Sequence, residues 1–285
     1  MALGGAIAFS GKAIIVKLAY RHGVDAVTLI MFRMLFALPI FLLMAWWSSR
    51  GQPALTGRDW AGVLGLGFTG YYLSSFLDFV GLQYISASLE RLILYLNPTL
   101  VLLLAWLVYR KAIHPLHFAG IGVSYCGVLL VFGHEIGAEG PQAALGALLV
   151  FGSAVSYSVY LVYSGELVRR IGSLRLVGLA TSVACICCLL QFALLRPLAS
   201  AFEVAPAVIW LSVLNATLCT AVPVLLVMMA IERLGSSLAA QAGMVGPVST
   251  IAMGAVLLDE PVTLWVAAGT VLVIAGIYVF SRAGR

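Results

Sequence analysis

Apolar residues along this chain come in long unbroken runs, without the alternation or 3.6-residue spacing of an element that is half buried and half wet. The runs cover 2–20, 27–47, 60–83, 87–109 and 115–132. After a Gly/Glu/Pro break at Gly133–Gln142 come 143–165, 175–195, 206–231, 236–257 and 263–281. Each is close to the roughly 20 residues that an α-helix needs to cross a hydrocarbon core about 30 Å thick. Within lipid every backbone donor and acceptor must be satisfied inside the segment, which a helix achieves. The pattern predicts an all-α integral membrane chain of ten transmembrane helices. Every connector is short, so any chemistry is expected within the membrane or at its faces.

Composition agrees. Of 285 residues, 62% are hydrophobic and 9% are charged, whereas a soluble domain needs about a quarter charged to coat its surface. The exterior must therefore face lipid. The net charge of +5 and pI near 9.0 would suggest nucleic acid in a soluble protein. Here the basic residues lie in connectors, where they set topology. The first run has no basic segment before it and contains Lys12 and Lys17, so it reads as a helix and not as a cleaved signal. The five cysteines all fall in apolar runs and read as small buried hydrophobes.

Numbering the connectors alternately places Arg50, Arg58, Arg110, Lys111, Arg169, Arg170, Arg175, Arg233, Arg282 and Arg285 on one side. The other side has only Arg21 and Arg196, together with Glu135, Glu139, Asp259 and Glu260. By the positive-inside rule both termini are expected in the cytoplasm, in the cell (inner) membrane.

The chain also repeats. A shift of 149 residues lays Ser88-Leu89 on Ser237-Leu238, Pro98 on Pro247, Gly120 on Gly269 and Gly127 on Gly276. A shift of 141 lays Gly5-Ala6 on Gly146-Ala147, Gly11 on Gly152 and Ala13 on Ala154. Run one thus falls on run six, four on nine and five on ten. Five is odd, so the halves, 1–132 and 143–285, are expected to cross the membrane in opposite senses. In such inverted repeats a substrate site lies at the interface of the halves.

Run four into run five reads SASLERLILYLNPTLVLLLAWLVYRKAIHPLHFAGIGVSYCGVLLV, and run nine into ten reads SSLAAQAGMVGPVSTIAMGAVLLDEPVTLWVAAGTVLVIAGIYV. Both resemble the end of each repeat in the drug/metabolite transporter superfamily, EamA type: a small-residue entry, a mid-helix proline, a glutamate-containing turn and a G-x6-G helix. The FSGKA stretch and the surroundings of Arg33 resemble that family's first two helices. The chain departs from the pattern once, where Asp259-Glu260-Pro261 of the second half is replaced in the first by Arg110-Lys111. The resemblance implies a secondary transporter that moves, typically exports, small metabolites such as amino acids by alternating access. The alternative within the same class is a multidrug or organic-cation efflux transporter.

Ionisable residues in the hydrocarbon region are costly and mark function by default. Six occur: Lys12, Lys17, Arg33, Asp78, Glu90 and Arg91, all in the first half. Four cations against two acids suit a carboxylate. Lys17, Glu90 and Arg91 sit within a turn of a helix end and read as snorkelling to the interface. Lys12, Arg33 and Asp78 lie deeper and are candidates for substrate binding or coupling. Asp78 is the candidate proton-coupling carboxylate, unless a salt bridge to Arg33 or Lys12 holds it ionised.

The uncharged candidates are Tyr71 and Ser75 in run three, Tyr95 and Asn97 in run four, Tyr157 and Tyr160 in run six, Asn215 in run eight, and Gln241 and Met244 in run nine. Pro98 and Pro247 are the candidate helix breaks, since proline removes a backbone donor and frees the carbonyl a turn earlier. The tyrosines could equally be interfacial or packing residues. Gly62–Gly67 lies within an apolar run and lacks the strand-turn-helix setting of a nucleotide loop. No His-Glu-x-x-His motif or other catalytic constellation appears, so neither an enzyme nor a metal site is expected, and a channel is the weaker rival. No cofactor is expected. The expected partners are a small-molecule substrate and the lipid bilayer, without nucleic acid, and a monomer is the working state.

Overall fold

The computed structural model describes residues 2–110, 115–139, 141–223, 226 and 246–282. Among the described residues the regular structure is entirely helical. The helices are α1 (Ala2–Tyr20), α2 (Ala26–Ser49), α3 (Gly57–Leu66), α4 (Ser74–Gly81), α5 (Ala87–Leu94), α6 (Asn97–Tyr109), α7 (Pro115–Glu139), α8 (Pro141–Ile171), α9 (Ser173–Leu195), α10 (Pro206–Ala216), α11 (Gly246–Leu257) and α12 (Leu264–Arg282). Eight of the ten apolar runs are described along their whole length and fall on helices, and run eight is described to residue 223 and at 226. Run nine is described only from Gly246, so Gln241 and Met244 lie outside the described residues. Large apolar side chains such as Trp47, Leu194, Trp210 and Leu264 stand exposed around the bundle, as a lipid-facing surface requires.

Local sequence explains the helix ends. Asp25 caps α2, accepting from the Val27 and Thr28 amides, and Thr56 and Asp59 form a capping box at α3. At the start of α5 the Ser86 hydroxyl accepts from the Leu89 amide. The Glu260 carboxylate, from the far end of the chain, accepts from the Ala87 amide at 2.8 Å and the Ser88 hydroxyl at 3.0 Å.

Two runs contain a π-helical turn, Gly67–Leu73 between α3 and α4 and Thr217–Ala221 after α10. They occupy matching places in runs three and eight. Such turns insert an extra residue into the helical ladder and recur at functional sites. Run four is interrupted outright: α5 ends at Leu94, α6 starts at Asn97, and the Leu96 carbonyl accepts from the Thr99 hydroxyl at 2.7 Å. Proline was expected to break this helix at Pro98. The break falls just before it, because a proline fits the first turn of a new helix, and the Pro98 ring itself is exposed.

Packing repeats across the halves. α2 lies against α9, and α7 against α12. α1 packs on α11 as α8 packs on α5 and α6, and α4 packs on α8 as α10 packs on α1. Exchanging each run for the one five later carries these pairs into one another. The G-x6-G helices make one of the close backbone contacts. A Cβ at Gly127 would stand 2.6 Å from the Gly269 carbonyl oxygen, and one at Gly276 would stand 2.6 Å from that of Gly120. Small residues let helix backbones approach in lipid, where no hydrophobic force draws helices together.

Candidate functional site

α1, α2, the π turn and α4, the broken helix α5/α6, α8 and the π turn after α10 converge on a cavity of ≈ 130 Å³. Seven of the predicted residues share its wall: Lys12, Arg33, Tyr71, Ser75, Asp78, Asn97 and Tyr157. Phe9, Gly70, Ser74, Leu94, Ser153 and Thr220 complete it, and of these sequence reasoning passed over Phe9, Gly70 and Ser153. Gly70 belongs there for a physical reason, since any side chain would run into the Tyr160 ring.

Its charged wall comes from the first half. The Lys12 ammonium stands 2.6 Å from Asp78 Oδ2 and 3.1 Å from Glu90 Oε1. Only the Asp78 contact is aligned as a hydrogen bond, so Asp78 Oδ1 and both Glu90 oxygens have no hydrogen-bond partner among the described residues. Asp78 is 2% and Glu90 0% exposed. The expected choice between Arg33 and Lys12 as partner of Asp78 thus falls to Lys12. Arg33 instead donates from Nε to Thr220 Oγ1 at 3.2 Å, lies 5.1 Å above the Phe79 ring, and keeps Nη1 without a hydrogen bond among the described residues. Thr220 in turn donates to the Asn215 carbonyl within the π turn.

Glu90 and Arg91 do not snorkel. Both are buried, because α5 is packed between α1, α8 and α11. Arg91 donates to Thr250 at 3.0 Å and to the Phe9 carbonyl at 2.9 Å, fastening α1 to α11. Lys17, half buried, borders a separate cleft of ≈ 620 Å³ at the bundle end that holds Asp25 and Glu260. At that end burial favours the neutral form of Asp25. Its bonds from Thr28 and Val27, and the Arg196 guanidinium 3.3 Å away, outweigh this and hold its carboxyl below the usual range.

The remaining candidates lie around the cavity. Tyr160 backs it, its hydroxyl 3.3 Å from that of Tyr71 and its ring stacked 5.5 Å from Tyr157. Ser158 donates to Asn97 Oδ1 at 3.3 Å, holding the broken helix to α8. Tyr95 sits against Gly246, so the interruption in run four meets the start of α11. Pro247 is the second residue of α11. Asn215 is buried in α10 beyond the cavity wall, with Oδ1 and Nδ2 lacking partners among the described residues. Ser74 and Ser153, from the two halves, bond at 3.0 Å across the wall.

The sequence profile described as the EamA-like transporter family matches residues 1–133 and again 144–282. An uncharacterized transporter of Bacillus subtilis (strain 168), YcbK, is 32% identical over 266 residues, covering 90% of this chain and 83% of that protein. An uncharacterized transporter of Archaeoglobus fulgidus is 22% identical over 271 residues, covering 95% and 92% respectively. A crystal structure of a protein 20% identical superimposes with a TM-score of 0.64 over 98% of this chain and 94% of that one, a likeness of fold.

Proposed function

This chain belongs to the EamA-like transporter family, and from that premise we propose that it moves, in the exporting direction, a small metabolite such as an amino acid by alternating access. The halves 1–132 and 143–285, inverted and with both termini cytoplasmic, rock about the cavity between them. The observation that carries this reading is the cavity wall itself. It joins Lys12, Arg33 and Asp78 to the Tyr71, Asn97 and Tyr157 polar groups inside an otherwise apolar bundle. Charges at that depth persist only when paired or when they meet a ligand or water. Lys12 and Arg33 fit a carboxylate, Asp78 an ammonium, and the tyrosine cluster a side chain.

At the Asp25 end, Glu260 ties α5 to the connector before α12. Breaking this tie is a natural step in opening the halves. The two π turns supply hinges, since a π turn can migrate along a helix with little loss of hydrogen bonds.

The test is counterflow in proteoliposomes, with L-amino acids and cationic drugs offered singly. Saturable exchange of an amino acid, reduced at least tenfold in Asp78→Asn, supports the reading. Exchange of organic cations alone would move the chain to the drug-efflux alternative, and non-saturable flux would make it a channel.

A further inference from the structure

We infer a binding site for one membrane phospholipid in the groove between α3 and α8, its phosphodiester at Arg58 and Arg170 and its ammonium at Glu166. The groove is separate from the central cavity, and the site stands whether or not the chain exchanges an amino acid.

A cavity of ≈ 350 Å³ opens on the flank of the bundle where α3 of the first half meets α8 of the second. Pockets that hold small molecules run from roughly 300 to 1,000 Å³. This one is as long as a single leaflet. It starts at Arg58, at the edge of the apolar span Gly57–Gly81, and ends at Thr69, the middle residue of that span. On α8 it runs from Arg170 inward to Val159, within the span Gln142–Ile171. From Arg58 to Thr69 a helix rises about 16 Å, and half of a hydrocarbon core about 30 Å thick is ~15 Å. A ligand that fits end to end is polar at the arginines and apolar from there to the bilayer midplane.

The walls suit an acyl chain. Ala61, Gly65, Leu66 and Leu167 line the inner part, and a Cβ at Gly65 would meet no protein atom within 4 Å. Tyr163, half exposed, lies one turn inward of Glu166, at the interfacial level where tyrosine is favoured.

The mouth carries both signs of charge. Arg58 and Glu166 face each other at 3.9 Å, with side chains 82% and 73% exposed, too far apart for a hydrogen bond. Arg170 stands 2.9 Å from Oδ1 of the buried Asp59, yet that oxygen accepts no hydrogen bond among the described residues. Arg170, like Arg58, thus keeps guanidinium donors for a phosphodiester, whose geometry they match in pairs. Two more arginines lie near. Arg175 is spent on the Ser49 hydroxyl and the Pro53 carbonyl, and the exposed Arg169 is not on the groove wall. Arg58 and Arg170, with Asp59 and Glu166, bring two charges of each sign. A head with one phosphate and one primary ammonium matches them group for group. An anionic head sets its charge beside Glu166 with no ammonium to offset it, and a trimethylated head has no N–H to give that carboxylate.

The place of the groove gives such a lipid a role. Thr69 belongs to the π turn Gly67–Leu73, whose next residues, Gly70 and Tyr71, line the central cavity. The Ser156 hydroxyl donates to the Thr69 carbonyl at 2.7 Å and ties this turn to α8. A tail seated on Leu66 and Thr69 holds α3 against α8, one half against the other.

Native mass spectrometry of the full chain from detergent tests this, with phosphatidylethanolamine, phosphatidylglycerol and phosphatidylcholine of identical tails added singly. One phosphatidylethanolamine per chain is expected to stay bound, in preference to the other two, and to raise the thermal unfolding midpoint. Arg58→Gln should weaken it about tenfold, the worth of one charge-assisted hydrogen bond. Glu166→Gln should bring it down to the level of phosphatidylcholine. Both positions are exposed, so these variants test the site without disturbing the core. Gly65→Leu, which fills the groove, should lose the adduct and keep the lipid-free unfolding midpoint. Equal retention of the three lipids, or an adduct that survives all three substitutions, overturns the site. A preference for phosphatidylglycerol overturns the headgroup assignment, and a lipid-free dimer would give the groove to a second copy of the chain and overturn the proposal.

Discussion

Lys12 in the first half corresponds, under the shift of 141, to Ser153 in the second. Under the shift of 149, Glu90-Arg91 corresponds to Ala239-Ala240. The glycines of the last helix of each half, by contrast, are kept in both, and Gly127 meets Gly269 while Gly276 meets Gly120. The halves are therefore alike where helices pack and unlike where the cavity opens. Packing across the interface needs small residues on both sides, because one bulky partner is enough to force the backbones apart. A central cavity is shared, so charges supplied by one half serve both and a second set would add only unpaired cost. Lys12 and Ser153 both line the cavity, one as the cation and the other as a small hydroxyl bonded to Ser74.

The largest expected effect comes from breaking the charged side of the comparison. Lys12→Met strands two buried carboxylates, and losing one partner of a buried ion pair costs about 3–5 kcal/mol. A fall in the thermal unfolding midpoint and loss of exchange are expected. Adding Asp78→Asn and Glu90→Gln to Lys12→Met should recover the unfolding midpoint but not the exchange. Recovery of both would mean that the cluster is structural only.

The symmetric side breaks next. Gly127→Leu and Gly276→Leu each drive a side chain into a partner backbone at 2.6 Å, an overpacking worth about 1–3 kcal/mol or more. Similar losses in the unfolding midpoint are expected from the two halves, and unequal losses would show that the packing is less symmetric than the contacts suggest.

Glu260→Ala sharpens a third difference, since the first half has Arg110-Lys111 where the second has Asp259-Glu260. It removes the donors' partner at the start of α5, a capping loss of about 0.5–2 kcal/mol. Faster hydrogen exchange confined to the first turn of α5 is the expected readout, and unchanged exchange would deny the latch.

The smallest effect belongs to Asp25. Its folded-state pKa is lowered, so its contribution is present above the unfolded value and is lost as pH falls through the folded value. Asp25→Ala should cost about 1 kcal/mol at neutral pH and remove that part of the acid sensitivity, measured by unfolding at neutral and acidic pH.

The helices were legible in the sequence because a lipid environment writes them as apolar runs of fixed length. The run ends 20, 109 and 195 coincide with those of α1, α6 and α9. Proline and glycine likewise announced the break before Asn97 and the interlocked helices. Lys12, Arg33 and Asp78 were found because an ion in an apolar run stands out. Glu90 and Arg91 stood out equally, but their depth depends on which helices enclose α5, and distance from a run end cannot report that. The π turns escaped for a related reason: their hydrogen-bond shift is set by tertiary contacts, as when Thr220 is held between Arg33 and the Asn215 carbonyl. Ser153 was passed over because small hydroxyls are common in membrane helices, and only convergence on the cavity sets it apart.

The most direct measurement of the central claim is thiol accessibility at Ser75 on the cavity wall. Ser75→Cys, in a chain whose five cysteines are replaced, is reconstituted in proteoliposomes and exposed to a membrane-impermeant methanethiosulfonate from either face. Labelling from both faces is expected, slowed by whichever compound supports counterflow. Labelling from one face only, at a rate that compound leaves unchanged, would contradict it.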